Sequence, residues 1–363
     1  MKVALVHDWL TGMRGGEKFL EYLCELFPEA DIYTLIHVKG SVSPRIEKHK
    51  IITSFLQYFP GVKRYYRYLL PLMPAAIESL KIKGYDLVIS SSHCVAKGAH
   101  ARGALHICYC HTPMRYLWQM RKEYFSARQG KVTAKIFELF AGYLKRWDIK
   151  TASNPDYFLA NSKNIQARIK ECYQRDATVI YSGIDTRQFF VDPGAKNYYL
   201  VVSAFAPYKR VDLAIEVFNG LNLPLKVIGT GQDEKKLRNL AGKNIEFLGW
   251  QPDDKVRGYY AGCKALIFPG EEDFGLVPLE VMASGRPGIA YAKGGALETV
   301  RSGVSGKFFN EQTVTCLREA VLDFEKNIGI FDPQKVRAQA LRFDREIFLR
   351  ELKSFIDDKI KHA

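Results

Sequence analysis

The sequence predicts two doubly wound parallel α/β domains, and three observations carry that prediction. Strand-like apolar runs alternate with helix-period stripes through both halves of the chain, as they do when crossover helices cover a parallel sheet. The alternation restarts at Tyr199, beyond the turn-forming Asp192-Pro193-Gly194. At 363 residues the chain is long enough for two cores. These features divide it into domains over residues 1–190 and 191–342.

Taken in order, Val3 to Val6, Ile32 to Ile36, Leu87 to Ile89, His106 to Cys110, Tyr157 to Ala160 and Thr178 to Tyr181 read as strands of the first half. Between the first two, Phe19, Leu23, Leu26 and Phe27 recur with helical period. The second half opens on a strand over Tyr199 to Val202, and after Pro207 the positions Val211, Ala214, Ile215 and Phe218 form one helical face. Leu225 to Ile228 then feeds the turn Gly229-Thr230-Gly231, followed by a polar helix, a strand over Ile245 to Leu248, another helix and a strand over Ala265 to Phe268. Open sheets of this kind bind ligands beyond the carboxyl ends of their strands, so the two domains are expected to face a common cleft. The alternative is one long sheet with a dinucleotide site. Against it, the first strand leads to Gly12-Met13-Arg14-Gly15-Gly16-Glu17 and not to Gly-x-Gly-x-x-Gly.

Composition excludes several classes. With 47% hydrophobic and 25% charged residues the chain reads as a soluble globular protein. The apolar run at the amino terminus is too short for a signal peptide, and His7 and Asp8 interrupt it. No stretch has the length of a membrane-spanning helix, which predicts a cytoplasmic protein with at most peripheral membrane contact. Seven cysteines in no regular framework point to a reducing compartment. Cys108 and Cys110 fall on one face of a strand, without further ligands nearby for zinc, and read as core thiols. The formal charge of +14 is concentrated in the first half: residues 1–190 carry 28 Lys and Arg against 16 Asp and Glu, whereas residues 191–363 carry 25 against 23. Such a field attracts nucleic acid, an anionic membrane or a lipid diphosphate without choosing among them.

The most informative stretch runs from Glu271 to Gly285. An apolar strand feeds an acidic loop, then Phe274-Gly275-Leu276, then Pro278 where a helix can begin, with Gly285 placed to end it. Glu272 in the loop and Glu280 in the expected first helical turn bracket backbone N–H groups suited to phosphate. Carboxylates repel phosphate, so they fit hydroxyl groups on either side of it; a sugar nucleotide has that layout. The bland alternative, favoured for an isolated acidic loop, is solvated charge plus a helix-dipole effect.

Further residues weigh against the bland reading. Gly15 and Gly16 precede the first helical stripe, leaving amides open to a phosphate, although an ordinary strand-to-helix turn also uses glycine. Lys209 and Arg210 open the first helix of the second half, where cations are disfavoured unless an anion lies close. His111 ends a strand and is followed by Thr112-Pro113, a position suited to a ligand contact or to a structural turn.

The pair of glutamates seven residues apart with Phe-Gly between them, Gly-Gly-x-Lys after the first strand, and Val202 to Arg210 together resemble retaining glycosyltransferases of family 4. Ala160-Asn161-Ser162, Ser182-Gly183-Ile184-Asp185 and Phe247-Leu248-Gly249-Trp250 resemble further segments of that family, so the likeness runs from Gly12 to about Gly306. Ala204 stands where many members have Arg, and Ser182 where they have Pro. The resemblance implies the GT-B architecture, two facing Rossmann-like domains with a helix over 343–363 crossing back to the first. It implies transfer with retention, His111 contacting the transferred sugar, and Lys209 neutralising the leaving diphosphate. Glu272 would orient sugar hydroxyls and Glu280 the ribose. Donor contacts are expected at Gly15, Gly16, Lys209, Arg210, Gly229, Leu248, Phe274, Gly275, Leu276 and Glu280. No cofactor and no metal are expected, since no Asp-x-Asp occurs. The subgroup resembled, bacterial O-antigen and polysaccharide mannosyltransferases, favours GDP-mannose as the nucleotide sugar, with UDP-sugars open.

On the acceptor side, basic and aromatic residues interleave over Lys63 to Leu70, and Val132, Ile136, Leu139, Phe140, Tyr143 and Trp147 form a stripe flanked by Lys131, Lys135, Lys145 and Arg146. Either suits an anionic membrane surface holding a lipid-linked or oligosaccharide acceptor; core packing is an equal reading of the second. Nucleic acid is the competing partner, but no recognised nucleic-acid module accompanies these residues.

Overall fold

The computed structural model describes residues 1–118, 131–194 and 196–362. The chain forms two units, one of Met1–Tyr181 with Leu349–Ala363, the other of Ser182–Phe348.

Seven parallel strands build the first unit: β1 (Val3–His7), β2 (Asp31–Thr34), β3 (Ile51–Thr53), β4 (Leu87–Ser92), β5 (Leu105–Cys110), β6 (Tyr157–Ala160) and β7 (Ala177–Val179), in the order β3-β2-β1-β4-β5-β6-β7. Every residue of β1 is buried, which is why a continuous apolar run, and not an alternating one, encodes it. Helix Gly15–Leu26 follows β1 and buries Phe19, Leu20, Leu23 and Cys24. The strand order reverses between β1 and β4, where His7 pairs with Ser91.

Six parallel strands build the second unit: β8 (Tyr199–Val202), β9 (Leu225–Ile228), β10 (Ile245–Gly249), β11 (Leu266–Phe268), β12 (Gly288–Tyr291) and β13 (Gly306–Phe309), in the order β10-β9-β8-β11-β12-β13. Its reversal falls between β8 and β11. Helix Val211–Leu221 buries the predicted Val211, Ala214, Ile215 and Phe218.

Strands β3, β12 and β13 have no counterpart in the sequence reading. They span three or four residues, and β12 and β13 each begin with glycine, leaving too little pattern to distinguish a strand from a loop. The last strand of the first unit is Ala177–Val179, not Thr178 to Tyr181. The closing helix, Arg345–Lys361, passes from the second unit into the first at Leu349. Within the first unit its Phe355 meets Tyr157 edge-on at 6.0 Å, and Lys359 lies over the same ring at 5.1 Å. Among the described residues no helix is long and apolar enough to cross a membrane.

Candidate active site

In the second unit, the residues singled out by sequence lie where β8, β9, β10 and β11 end. β8 and β11 are neighbours across the reversal of strand order, so their loops leave the sheet from adjacent points, the place where doubly wound sheets bind ligands. Lys209 closes the turn Pro207–Lys209, and its ammonium donates to Glu272 Oε1 in the loop after β11. The side chains are 17% and 16% exposed. Gly270 permits the approach, because a Cβ there would stand 3.0 Å from Lys209 Cα and 3.1 Å from the Tyr208 carbonyl oxygen.

The acidic loop is fixed from its other side as well. Gly295 donates its N–H to the Glu272 carbonyl at 2.8 Å, and Lys293 pairs with Glu271 at 3.1 Å. A Cβ on Gly295 would come within 2.3 Å of Phe274 Cα. Sequence reading missed this second loop, although Lys293-Gly294-Gly295 after a short apolar run was its signal.

Gly275, with φ of 94°, turns the chain directly into helix Leu276–Ala283. That start corrects two expectations. Pro278 is the third helical residue, tolerated because the first-turn amides have no intrahelical partner. Glu280 is the fifth, beyond the first turn, and accepts the Tyr260 hydroxyl at 2.8 Å. Burial first, and the Glu280 charge second, push the Tyr260 phenol well above its usual range, so it remains a donor. Phe274 is 4% exposed and packs edge-on against Phe343 at 5.8 Å, so any ligand contact falls to its backbone.

Arg210 stands apart from Lys209. It adopts φ of 52° as the N-cap of Val211–Leu221, and its Nε donates to Asp212 at 3.2 Å. Gly229 donates its amide to the Gly249 carbonyl at 2.9 Å. Leu248 lies on β10, which ends beside Trp250, 73% exposed.

In the first unit, Gly15 and Gly16 begin a 12-residue helix, as the sequence suggests. Gly16 has a packing reason too: a Cβ would lie 3.2 Å from His7 Cε1. His111 follows β5, and its Nε2 lies 2.9 Å from Ser91 Oγ, which lies 3.0 Å from His7 Nδ1. Burial, then the nearby His93 and His7, lower the His111 pKa to about 3, so the ring is neutral. Asn161 of the Ala-Asn-Ser segment donates to the His111 carbonyl at 3.3 Å, and Ser162 caps helix Lys163–Tyr173.

Asp8 and His93 are functional candidates that sequence reading overlooked. Asp8 is fully buried beyond β1 and accepts backbone N–H groups from His93, Cys94, Val95 and Ala96 at 2.6 to 3.0 Å. His93 Nδ1 lies 3.0 Å from Asp8 Oδ2. A carboxylate directly after an apolar strand, opposite a Ser-Ser-Ser-His strand end, was the available signal.

In the basic and aromatic segment, Tyr66 and Leu70 are buried, whereas Tyr65 and Tyr68 are 50% and 71% exposed and Lys63, Arg64 and Arg67 reach solvent. Of the second stripe, Phe140 and Tyr143 are exposed and Trp147 is buried, donating to Glu78 Oε1 at 2.7 Å. Val132, Ile136 and Leu139, with Lys131 and Lys135, lie outside the residues whose side chains are described.

Residues 13–188 match the family described as Glycosyltransferase Family 4, and residues 184–339 match that described as Glycosyl transferases group 1. An uncharacterized glycosyltransferase of Methanocaldococcus jannaschii is 33% identical over 180 residues, 48% of this chain and 51% of that one. The alpha-1,3/1,6-mannosyltransferase ALG2 of Saccharomyces cerevisiae is 25% identical over 334 residues, 76% of this chain and 64% of that one. The O-antigen chain mannosyltransferase C of Escherichia coli is 26% identical over 164 residues, 41% of this chain and 43% of that one. The chain thus spans 43% to 64% of the length of these relatives. Among solved structures, sucrose-phosphate synthase of Thermosynechococcus elongatus superposes with a TM-score of 0.77 at 17% identity, covering 100% of both chains. Anabaena HepE in complex with UDP and glucose superposes with a TM-score of 0.75 at 17% identity, covering 98% of this chain and 99% of that one. The fold is that of the GT-B glycosyltransferases.

Proposed function

For a chain that carries a glycosyltransferase family 4 domain followed by a group 1 domain, we propose a retaining hexosyltransferase that moves mannose from GDP-mannose to a lipid-linked or polysaccharide acceptor of a bacterial surface glycan. The observation that carries this reading is the Lys209–Glu272 pair at the strand reversal of the second unit. It joins a cation suited to a diphosphate to a carboxylate suited to sugar hydroxyls.

Cleavage of the bond between the anomeric carbon and the diphosphate oxygen leaves its electron pair on that oxygen. The Lys209 ammonium and the amides that begin helix Leu276–Ala283 stabilise the developing charge. Glu272 accepts hydrogen bonds from the hexose hydroxyls, Glu280 holds the ribose, and the neutral His111 ring contacts the hexose. The departing phosphate oxygen takes the acceptor hydroxyl proton as the new carbon–oxygen bond forms on the same face. With cationic side chains assigned to the diphosphate, transfer is expected to survive EDTA.

Mannose is favoured by the two mannosyltransferase relatives and GDP by the subgroup resemblance alone, while the HepE complex holds UDP and glucose. Calorimetry against GDP, UDP, GDP-mannose and UDP-glucose separates them: GDP binding with no UDP response supports the reading, and the reverse replaces the donor. Peripheral membrane contact through the first unit is supported by exposed Tyr65 and Tyr68 beside Lys63, Arg64 and Arg67. Retention on phosphatidylglycerol vesicles is expected, lost on Lys63→Glu with Arg64→Glu. Preferential capture by single-stranded DNA would favour a nucleic-acid role instead.

A further inference from the structure

The strand reversal of the first unit, between β1 and β4, holds a built arrangement that the donor chemistry leaves unused. Asp8 follows β1 and His93 follows β4. The Asp8 carboxylate is fully buried, takes four backbone N–H groups and lies 3.0 Å from His93 Nδ1. Trp9 packs edge-on against the same ring at 4.6 Å, with His7 at 5.9 Å. Held on two sides, the ring has one fixed orientation, and Nε2 is the nitrogen that remains to address a ligand from a side chain 28% exposed.

We propose that His93 is an acceptor-contact residue: its Nε2 hydrogen-bonds a hydroxyl of a carbohydrate acceptor, and Asp8 is the positioning residue that fixes the ring. This rests on the glycosyltransferase reading above. The placement follows the general rule that ligands of doubly wound sheets lie in the crevice at the strand reversal. A hydroxyl fits better than a phosphate because the surroundings are acidic. Asp8 stands behind the ring, and Glu17, buried at 3%, faces the cluster with Oε1 4.0 Å from His7 Nε2. Against these, Arg14 is the cation at the start of the same helix. His7 Nε2 itself is fully buried with no hydrogen-bond partner among the described residues, and its neighbour Gly16 leaves the ring uncovered by a side chain. The donor contacts assigned within this unit are Gly15, Gly16 and His111, so Asp8 and His93 are left for the second substrate.

The charge state agrees with the geometry. Burial pulls the His93 pKa down, but the Asp8 charge and hydrogen bond, with Glu17, outweigh it and raise the value above that of a free imidazole.

The test uses the full chain labelled with ¹⁵N-histidine, titrated with methyl α-D-mannopyranoside, methyl β-D-galactopyranoside and methyl N-acetyl-β-D-glucosaminide, each with and without GDP. At least one pyranoside is expected to shift the His93 Nε2 resonance. His93→Asn keeps a donor toward Asp8 but removes the outward nitrogen; it should weaken that pyranoside about tenfold and leave GDP affinity unchanged. His93→Gln restores the outward reach and should return affinity to within about threefold. Asp8→Asn should lower both the His93 pKa and pyranoside affinity. An Nε2 resonance unmoved by all three sugars in the wild-type protein overturns the proposal. So does wild-type affinity in His93→Asn, or a parallel loss of GDP binding. Transfer of hexose from GDP-mannose and from UDP-glucose to the responding pyranoside is followed separately: no transfer from either donor, with the His93 response intact, sinks the transferase reading, whereas transfer with an unmoved His93 sinks this contact alone.

Discussion

Lys209 donates its ammonium hydrogen to Glu272 across 63 residues of sequence, because the loops bearing them leave neighbouring strands β8 and β11 at the reversal of the sheet. Each partner balances the other's charge, and both side chains are less than one-fifth exposed. A diphosphate and a set of sugar hydroxyls are the groups that would engage the same two side chains.

Lys209→Ala and Glu272→Ala should therefore each reduce transfer by about two to three orders of magnitude, the usual loss when a group that stabilises transition-state charge is removed. Thermal midpoints within a few degrees of wild type distinguish lost chemistry from lost fold. Wild-type turnover in either variant removes that residue from its assigned role.

The first unit contains a buried ion pair with no proposed part in transfer. Lys97 is 1% exposed and reaches Asp148 Oδ1 at 3.0 Å, the Asp148 carbonyl at 2.6 Å and Thr151 Oγ1 at 2.9 Å. Trp118 and Tyr173 donate to the same carboxylate at 2.8 and 3.0 Å. Lys97→Met leaves that carboxylate buried without its cation, so it should destabilise the chain by about 3–5 kcal/mol in urea unfolding. Donor affinity of the folded fraction should be unchanged.

Acidification should weaken the fold well before carboxylates titrate. Burial is the chief cause that lowers His7 and His111 to about 3 and His106 to about 4, from an ordinary 6.5. Below pH 6.5 the unfolded chain binds protons that the native rings refuse, so stability falls as pH falls, by about 1.4 kcal/mol per pH unit for each ring. His93 has the opposite sign: its raised pKa contributes fully below 6.5, and that contribution is lost as pH rises through the folded value. Asp8, held below the ordinary carboxylate range by His93 despite burial, contributes above 3.8 and loses its contribution as pH falls further. Thermal midpoints should thus decline from pH 6.5 to 4, and His106→Asn should make that decline shallower. A flat profile over this range would mean that these rings are not buried neutral.

The residues that sequence alone exposed are those whose neighbours in the chain explain them. Gly275 and Gly285 bound a helix, Val211 to Phe218 make a stripe, and β1 is an unbroken apolar run. Asp8 shows where that reasoning stops. In sequence it only interrupts an apolar run, yet its burial depends on four amides more than 80 residues away. A helix counted from Pro278 sets Glu280 in its first turn, whereas the left-handed Gly275 starts the helix at Leu276 and moves Glu280 beyond that turn. Phe274 is part of a ligand-like motif in sequence and part of the core in space, since only the fold brings Phe343 against it.

The role proposed for Lys209 and Glu272 is to receive the diphosphate and sugar of an activated hexose. Isothermal titration of GDP-mannose into the wild-type chain and into Lys209→Ala tests it most directly. Saturable binding by the wild type and a loss of at least tenfold in the variant are expected; equal binding by both proteins, or no response to GDP-mannose or UDP-glucose in the wild type, would remove the pair from donor binding.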